Sequence, residues 1–333
     1  MWKARRLSMT GKKLIINTYA LSGIWYIGRI RGIPDQVLKE INKIIFEFFW
    51  HPRKNEMIKR TTLEKPEEEG GLGLINIENK LTCFNFQKIQ DALKNPDKPW
   101  VSQVIYRLGY KLRHQKPEFG SNKYTHTFSR NETYKRLHKL IDMLETNFPG
   151  KKFLDIKPKE VYSSLGAPTK PTIEGKYPWV PWDEVYPKIT SCSKINYIKD
   201  ISYQSIHNAL PTGERLQKFR MKAEYFCALC RKENELETLN HLFTKCDKVQ
   251  KTLKFLERKL QKNSLTNTQI LYFTDCNEDE SNTLAIYKYA IWKIRCKSKL
   301  SKENKGVESS ILNYTKSLID NPNIAIKFDA TDQ

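Results

Sequence analysis

The chain has 333 residues, 39% hydrophobic and 11% aromatic, enough apolar material for two or three packed domains and too much for a disordered polymer. Its 58 Lys and Arg against 37 Asp and Glu give a formal charge of +21, which points to polyanions such as RNA or DNA or, on the plainer reading, to a lysine-rich solvated surface. No apolar run approaches the roughly 20 residues of a membrane span. No signal-peptide core follows the basic start, and seven unevenly spaced cysteines are not a secreted disulfide framework, so the expected compartment is the nucleus or cytoplasm.

In chain order, Leu14, Ile15, Thr18, Leu21 and Trp25 fall at helical spacing. Pro34 opens a second helix, with Asp35 in its first turn. Along it Val37, Leu38, Ile41, Ile44, Ile45, Phe48 and Phe49 form one apolar stripe, expected to face a core, before His51-Pro52 stops the helix. Pro66 to Leu74, with Gly70, Gly71 and Gly73, is a turn rather than a phosphate loop, because no Gly-Lys-Ser/Thr follows. A helix resumes from about Glu78 to Leu93. Residues 96–180 are cut by Pro96, Pro99, Pro149, Pro158, Pro168 and Pro171 and read as a connector with one short helix near Tyr134 to Leu144.

Beyond it, helices are expected from Tyr197 to Ala209, from Glu214 to Arg220 and through Val249, Leu253, Leu256 and Leu260. A last one runs from Leu284 to Leu300 with Ile286, Tyr287, Ala290, Ile291 and Ile294 inward, and the polar tail from Ser301 is expected to fray. The reading is a mainly α protein: two helical lobes joined by an irregular connector, divided at 1–95, 96–180, 181–265 and 266–333.

The chemistry lies in Cys227, Cys230, His241 and Cys246, a Cys-x2-Cys-x10-His-x4-Cys set. Two thiolates three residues apart can grip one Zn²⁺, and an imidazole with a third thiolate can close a tetrahedron. Four protein ligands leave no open position, so such a zinc would be structural. Asp247 is a poorer, harder ligand nearby; the alternative is four residues that merely fall close in sequence. Cys83, Cys192, Cys276 and Cys296 read as ordinary thiols.

Cations flank the set: Arg215, Lys218, Arg220 and Lys222 before it, Arg231, Lys232, Lys245 and Lys248 around it, interleaved with Tyr225 and Phe226. Arg5, Arg6, Lys12, Lys13, Lys59 and Arg60 form a second basic group. Basic groups track phosphates and aromatics can stack on unpaired bases. Taken singly, each cation reads as a solvated residue and Phe226 as a core one; it is the cluster as a whole that favours nucleic acid. No clustered aspartates for two-metal catalysis, no Gly-x-Ser-x-Gly and no His-Glu-x-x-His occur.

Two stretches resemble one family. The first is Arg6-Leu7-Ser8-Met9-Thr10-Gly11-Lys12 with Ile15-Ile16, Ile33-Pro34, Phe48-Phe49-Trp50 and Gly70-Gly71-Leu72-Gly73-Leu74. It is similar to the thumb, after the palm, of LINE-type (non-LTR) retrotransposon reverse transcriptases. The second is His207 to Leu216, then Cys227, Cys230, Glu237-Thr238, His241-Leu242-Phe243 and Cys246, with Tyr289-Ala290-Ile291-Trp292-Lys293 after it. It looks like that family's zinc-binding domain. The resemblance implies a thumb that holds primer and template, a zinc domain that engages RNA template and DNA target, and the same four zinc ligands. It also implies that fingers, palm and endonuclease lie upstream. The expectation is therefore a non-catalytic, nucleic-acid-binding C-terminal fragment of such an enzyme. The alternatives are an accessory part of a polymerase assembled in trans and a helical zinc-stabilised scaffold.

Overall fold

A computed structural model describes residues 5, 7–53, 55–121, 132–166, 170–233, 235–300 and 306–325. Helices dominate, and among the described residues the β-type pairing is a bridge between Phe226 and Leu236. The chain forms two compact units, one of residues 1–14, 48–74 and 169–333, the other of residues 15–47 and 75–168. Neither is continuous in sequence. The expected first lobe, 1–95, is thus shared between both units, while 181–265 and 266–333 lie in one.

The second unit is built on the helix Ile77–Lys94, capped at its start by the Asn76 side chain, which accepts from Asn79 N at 3.0 Å. Its Phe86, Ile89 and Leu93 join Val101, Val104, Leu108 and Leu112 of the helix Val101–Leu112 and Leu137, Ile141 and Leu144 of the helix Glu132–Asn147 in one core. Most of the expected connector is therefore core-forming helix. Among the described residues its prolines sit at helix starts and in turns, as Pro158 does at the first position of Pro158–Ser164. The helix Ser22–Arg31 comes so close to Ile77–Lys94 that a Cβ on Gly28 would lie 2.3 Å from a Leu81 methyl.

Ahead of it, residues Ile15–Ala20 form a π-helical turn with Leu21 N bonded to Ile16 O at 3.1 Å. The five-residue period buries Ile16 and Leu21 together and leaves Leu14 and Thr18 outside, against the 3.6-residue expectation. The helix Asp35–Trp50 buries Leu38, Phe46, Phe49 and Trp50, but the expected stripe is only partly covered: Val37 and Ile44 are exposed.

The first unit is organised along the helix Glu278–Leu300, buried on nearly every side from Leu284 to Trp292, as expected for a helix at the centre of a core. Against it packs Asn196–Ile206, and Val307–Asp320 covers another side with Ile311, Thr315 and Leu318 fully buried. The tail expected to fray past Ser301 is thus, over residues 307–320, an ordered helix. The glycine turn of residues 66–74 belongs here too. Gly70 has φ +78° with its Cα against the Tyr186 ring, its carbonyl accepts from Tyr203 Oη at 3.2 Å, and a Cβ on Gly71 would lie 1.9 Å from Lys65 O. Residues 7–12, 48–50 and 70–74 of the first resembling stretch lie in this unit with the second, while Ile15-Ile16 and Ile33-Pro34 lie in the other.

Candidate metal centre

The knuckle begins where the chain leaves the Phe226–Leu236 bridge. In extended backbone, neighbours face opposite ways: Phe226 points out and Cys227 in. The amide of Cys227 donates to Glu235 O at 3.2 Å, and a tight turn, with Arg231 at φ +53° and its amide 2.8 Å from Cys227 O, returns the chain past Cys230. The π-helical turn His241–Lys245 then presents His241, and Cys246 N bonds His241 O at 2.8 Å.

The four ligand atoms lie within 4.8 Å of one another. Zinc bound at about 2.3 Å to sulfur and about 2.0 Å to nitrogen sets tetrahedral edges of about 3.8 Å between sulfurs and about 3.5 Å from sulfur to nitrogen. The protein has Cys227 Sγ to Cys246 Sγ at 3.9 Å and Cys230 Sγ to His241 Nε2 at 3.5 Å. The residues fit the ion in type, number and spacing.

His241 presents Nε2 to the sulfurs while Nδ1 lies 3.0 Å from Glu235 Oε1, so the carboxylate orients the ring and holds the proton on the outer nitrogen. The hydrogen bond with Cys246, and then burial, push the Cys227 thiol up to about 12, so its ionisation depends on a bound cation. Asp247 is engaged elsewhere, 2.6 Å from Lys232.

Behind the ligands lies a buried carboxylate that the spacing did not single out. Glu237 is fully buried; it accepts from Gly213 N at 3.3 Å and from Ala228 N at 3.2 Å, and Arg295 Nε lies 3.1 Å from both its oxygens. Family resemblance drew attention to Glu237 only as part of a motif; its partner lies 58 residues away and no local pattern marks it.

The flanking cations divide by use. Arg215 donates to Met57 O at 2.7 Å and lies over Phe219, Lys218 pairs with Glu214 at 2.8 Å, and Arg231 donates to Ser298 O at 2.9 Å. Arg220, Lys222 and Lys245 are exposed and Lys248 is half-buried, with no ion pair among the described residues. In the N-terminal group, Lys12 Nζ donates to Phe49 O at 3.0 Å and His51 O at 2.6 Å, and burial lowers its pKa. It closes the carbonyl end of a helix, the position where a lysine suits the dipole. Lys13 pairs with Glu67 at 2.5 Å and Arg60 with Glu56. Lys59 and Arg5 are exposed, and Arg6 lies outside the described residues.

Residues 179–252 match the family described as zinc-binding in reverse transcriptase. That span contains all four ligands and Glu237. The chain is also 29% identical over 118 residues, 33% of its length, to the transposon TX1 uncharacterized 149 kDa protein of Xenopus laevis. The match takes in 9% of that protein. The site is a zinc-binding domain of the reverse-transcriptase type, its cofactor is zinc, and no helix among the described residues is long and apolar enough to cross a membrane.

Proposed function

We propose that this chain is a nucleic-acid-binding, non-catalytic part of a LINE-type reverse transcriptase, acting by holding RNA or DNA rather than by chemistry of its own. The observation that carries this reading is the closed Cys3His knuckle inside the matched span, with Arg220, Lys222 and Lys245 exposed around it and in no ion pair among the described residues. A closed four-ligand zinc fixes a fold and offers no position to a substrate, so the knuckle's contribution is to shape a basic surface. The thumb-like role of residues 1–95 is part of the same proposal.

The test is fluorescence anisotropy of the zinc-loaded chain with a labelled single-stranded RNA across a salt series. Affinity should fall linearly with salt on a log–log plot, with a slope of roughly 0.7 per phosphate neutralised. Binding that ignores salt would overturn the reading.

One observation favours a second reading, an accessory part of a polymerase assembled with other polypeptide. In the second unit Tyr26 is 73% and Ile44 62% exposed, with Ile27, Ile30 and Val37 also outside. Tyr26, Ile27 and Ile30 share the helix Ser22–Arg31, and exposed apolar side chains gathered together mark a protein interface more often than a solvated face. Co-purification of a stoichiometric partner, lost on Ile27→Ser with Ile30→Ser, would support it.

A further inference from the structure

The turn between the helix Gly213–Lys218 and the knuckle is exposed from Gln217 to Glu224. Its composition is unusual for a solvated turn: Phe219, Met221 and Phe226 are 38%, 42% and 50% exposed, and Lys218, Arg220 and Lys222 alternate with them. Exposed apolar groups in a slack loop would collapse onto the surface. This one is held out. Arg220 has φ +52°, its amide donates to Gln217 O at 2.9 Å and Met221 N to Leu216 O at 3.1 Å, and Tyr225 Oη donates to Met221 O at 2.6 Å. The far end is pinned by the Phe226–Leu236 bridge and by Cys227, a knuckle ligand. Arg215, tied to Met57 O at 2.7 Å, stacks its guanidinium 5.0 Å from the Phe219 centroid and stiffens that ring.

We propose that this turn is a base-stacking tip for single-stranded nucleic acid. Phe219, Phe226 and Met221 take the faces of unpaired bases, while Arg220 and Lys222 hold the flanking phosphates. The inference rests on the nucleic-acid reading above and assigns to it a specific contact. Alternating cations and flat apolar groups match the alternation of phosphate and base along a single strand. A protein groove would ask for the apolar groups without this cationic interleaving. The acids of the segment do not spoil the match: Glu214 is bonded to Lys218 at 2.8 Å, and Glu224 interacts electrostatically with Lys299.

The experiment compares two labelled 12-nucleotide strands, one of thymidines and one of abasic sites with the same phosphates, by anisotropy against the full zinc-loaded chain. The intact chain should prefer the strand with bases by roughly tenfold, the scale of one to two stacked bases. Phe219→Ala with Phe226→Ala should erase that preference and leave the salt slope unchanged. Arg220→Gln with Lys222→Gln should lower the slope and keep the preference. Zinc content of each variant checks that the knuckle still forms. Salt-dependent binding that is indifferent to bases, or a preference that survives loss of both phenylalanines, overturns the tip and leaves the wider reading standing. Absence of binding to either strand overturns both.

Discussion

Arg295 and Glu237 form a fully buried ion pair 58 residues apart in sequence, with Nε of the arginine 3.1 Å from both carboxylate oxygens. Three segments converge there. The arginine comes from the helix Glu278–Leu300 and also donates to Pro211 O at 3.2 Å, while the carboxylate accepts the amides of Gly213 and Ala228. Ala228 follows the first zinc ligand, so the pair holds one arm of the knuckle to the unit's central helix. Removing one partner strands a buried charge, which costs about 3–5 kcal/mol, whereas replacing both removes the charge as well. Arg295→Met should therefore lose roughly that amount in urea unfolding of the zinc-loaded chain. Arg295→Met with Glu237→Gln should be less damaging than the single change. A double-variant loss equal to the summed losses of Arg295→Met and Glu237→Gln would show that the pair has little coupling.

Gly213 tests the neighbouring contact. A Cβ there would lie 1.8 Å from Tyr225 O, so the backbone, not a flexible side chain, would have to move. That displacement separates the amide from Glu237 and strains the approach to the knuckle. Gly213→Ala should cost about 3 kcal/mol, at the upper end of overpacking effects. Gly175→Ala, where a Cβ meets nothing within 4 Å, is the control and should leave the melting temperature nearly unchanged.

The ligand set was legible because zinc knuckles are local: all four residues fall between Cys227 and Cys246, and residue type with spacing carries the chemistry. Helix positions were legible for the same reason, from apolar period and proline stops. Three things were not. Phe226, taken singly, read as core because it is apolar, yet the extended backbone turns neighbours to opposite faces and leaves it outside. Lys12 read as a phosphate contact, but it caps a helix end that arrives from 37 residues away. Residues 96–180 read as a connector because prolines outweighed Val101, Val104, Leu108 and Leu112, whose spacing marks one buried helix face. Tertiary partners decide burial, and one sequence shows only the local half of each contact.

Zinc removal separates the two units. If the lobes followed the boundaries expected from sequence, loss of a ligand would spare residues 1–95 entirely. The structure puts residues 48–74 in the same unit as the knuckle, with Gly70 O bonded to Tyr203 Oη, so part of that region should respond. Metal-binding free energy is folding free energy for a small knuckle. By hydrogen exchange, Cys230→Ala or chelator should raise exchange in residues 205–262 and, more weakly, in residues 66–74. The core around Phe86, Leu108 and Ile141 rests on apolar contacts of its own and should stay protected. Uniform loss of protection across both units would contradict the division.

His207 sets an acid limit on the first unit. Its ring is half-buried, stacked at 6.1 Å on Tyr186 and 4.5 Å from Tyr203, and its Nε2 is shielded from solvent with no hydrogen-bond partner among the described residues. Burial lowers its pKa from 6.5 to about 4, with the Gly70 backbone pulling the other way. The unfolded chain therefore takes up the proton first. Between pH 6.5 and about 4 it holds more protons than the folded chain, so stability falls as pH falls through that window and levels off below it. The full shift corresponds to about 3 kcal/mol. His207→Phe keeps a flat ring between the tyrosines and removes the titration. Urea midpoints from pH 7 to 4, in excess zinc, should fall less steeply for the variant than for the parent chain. Zinc release in acid acts on both proteins, so the difference between the two curves isolates His207, and parallel curves would assign the acid sensitivity to other groups.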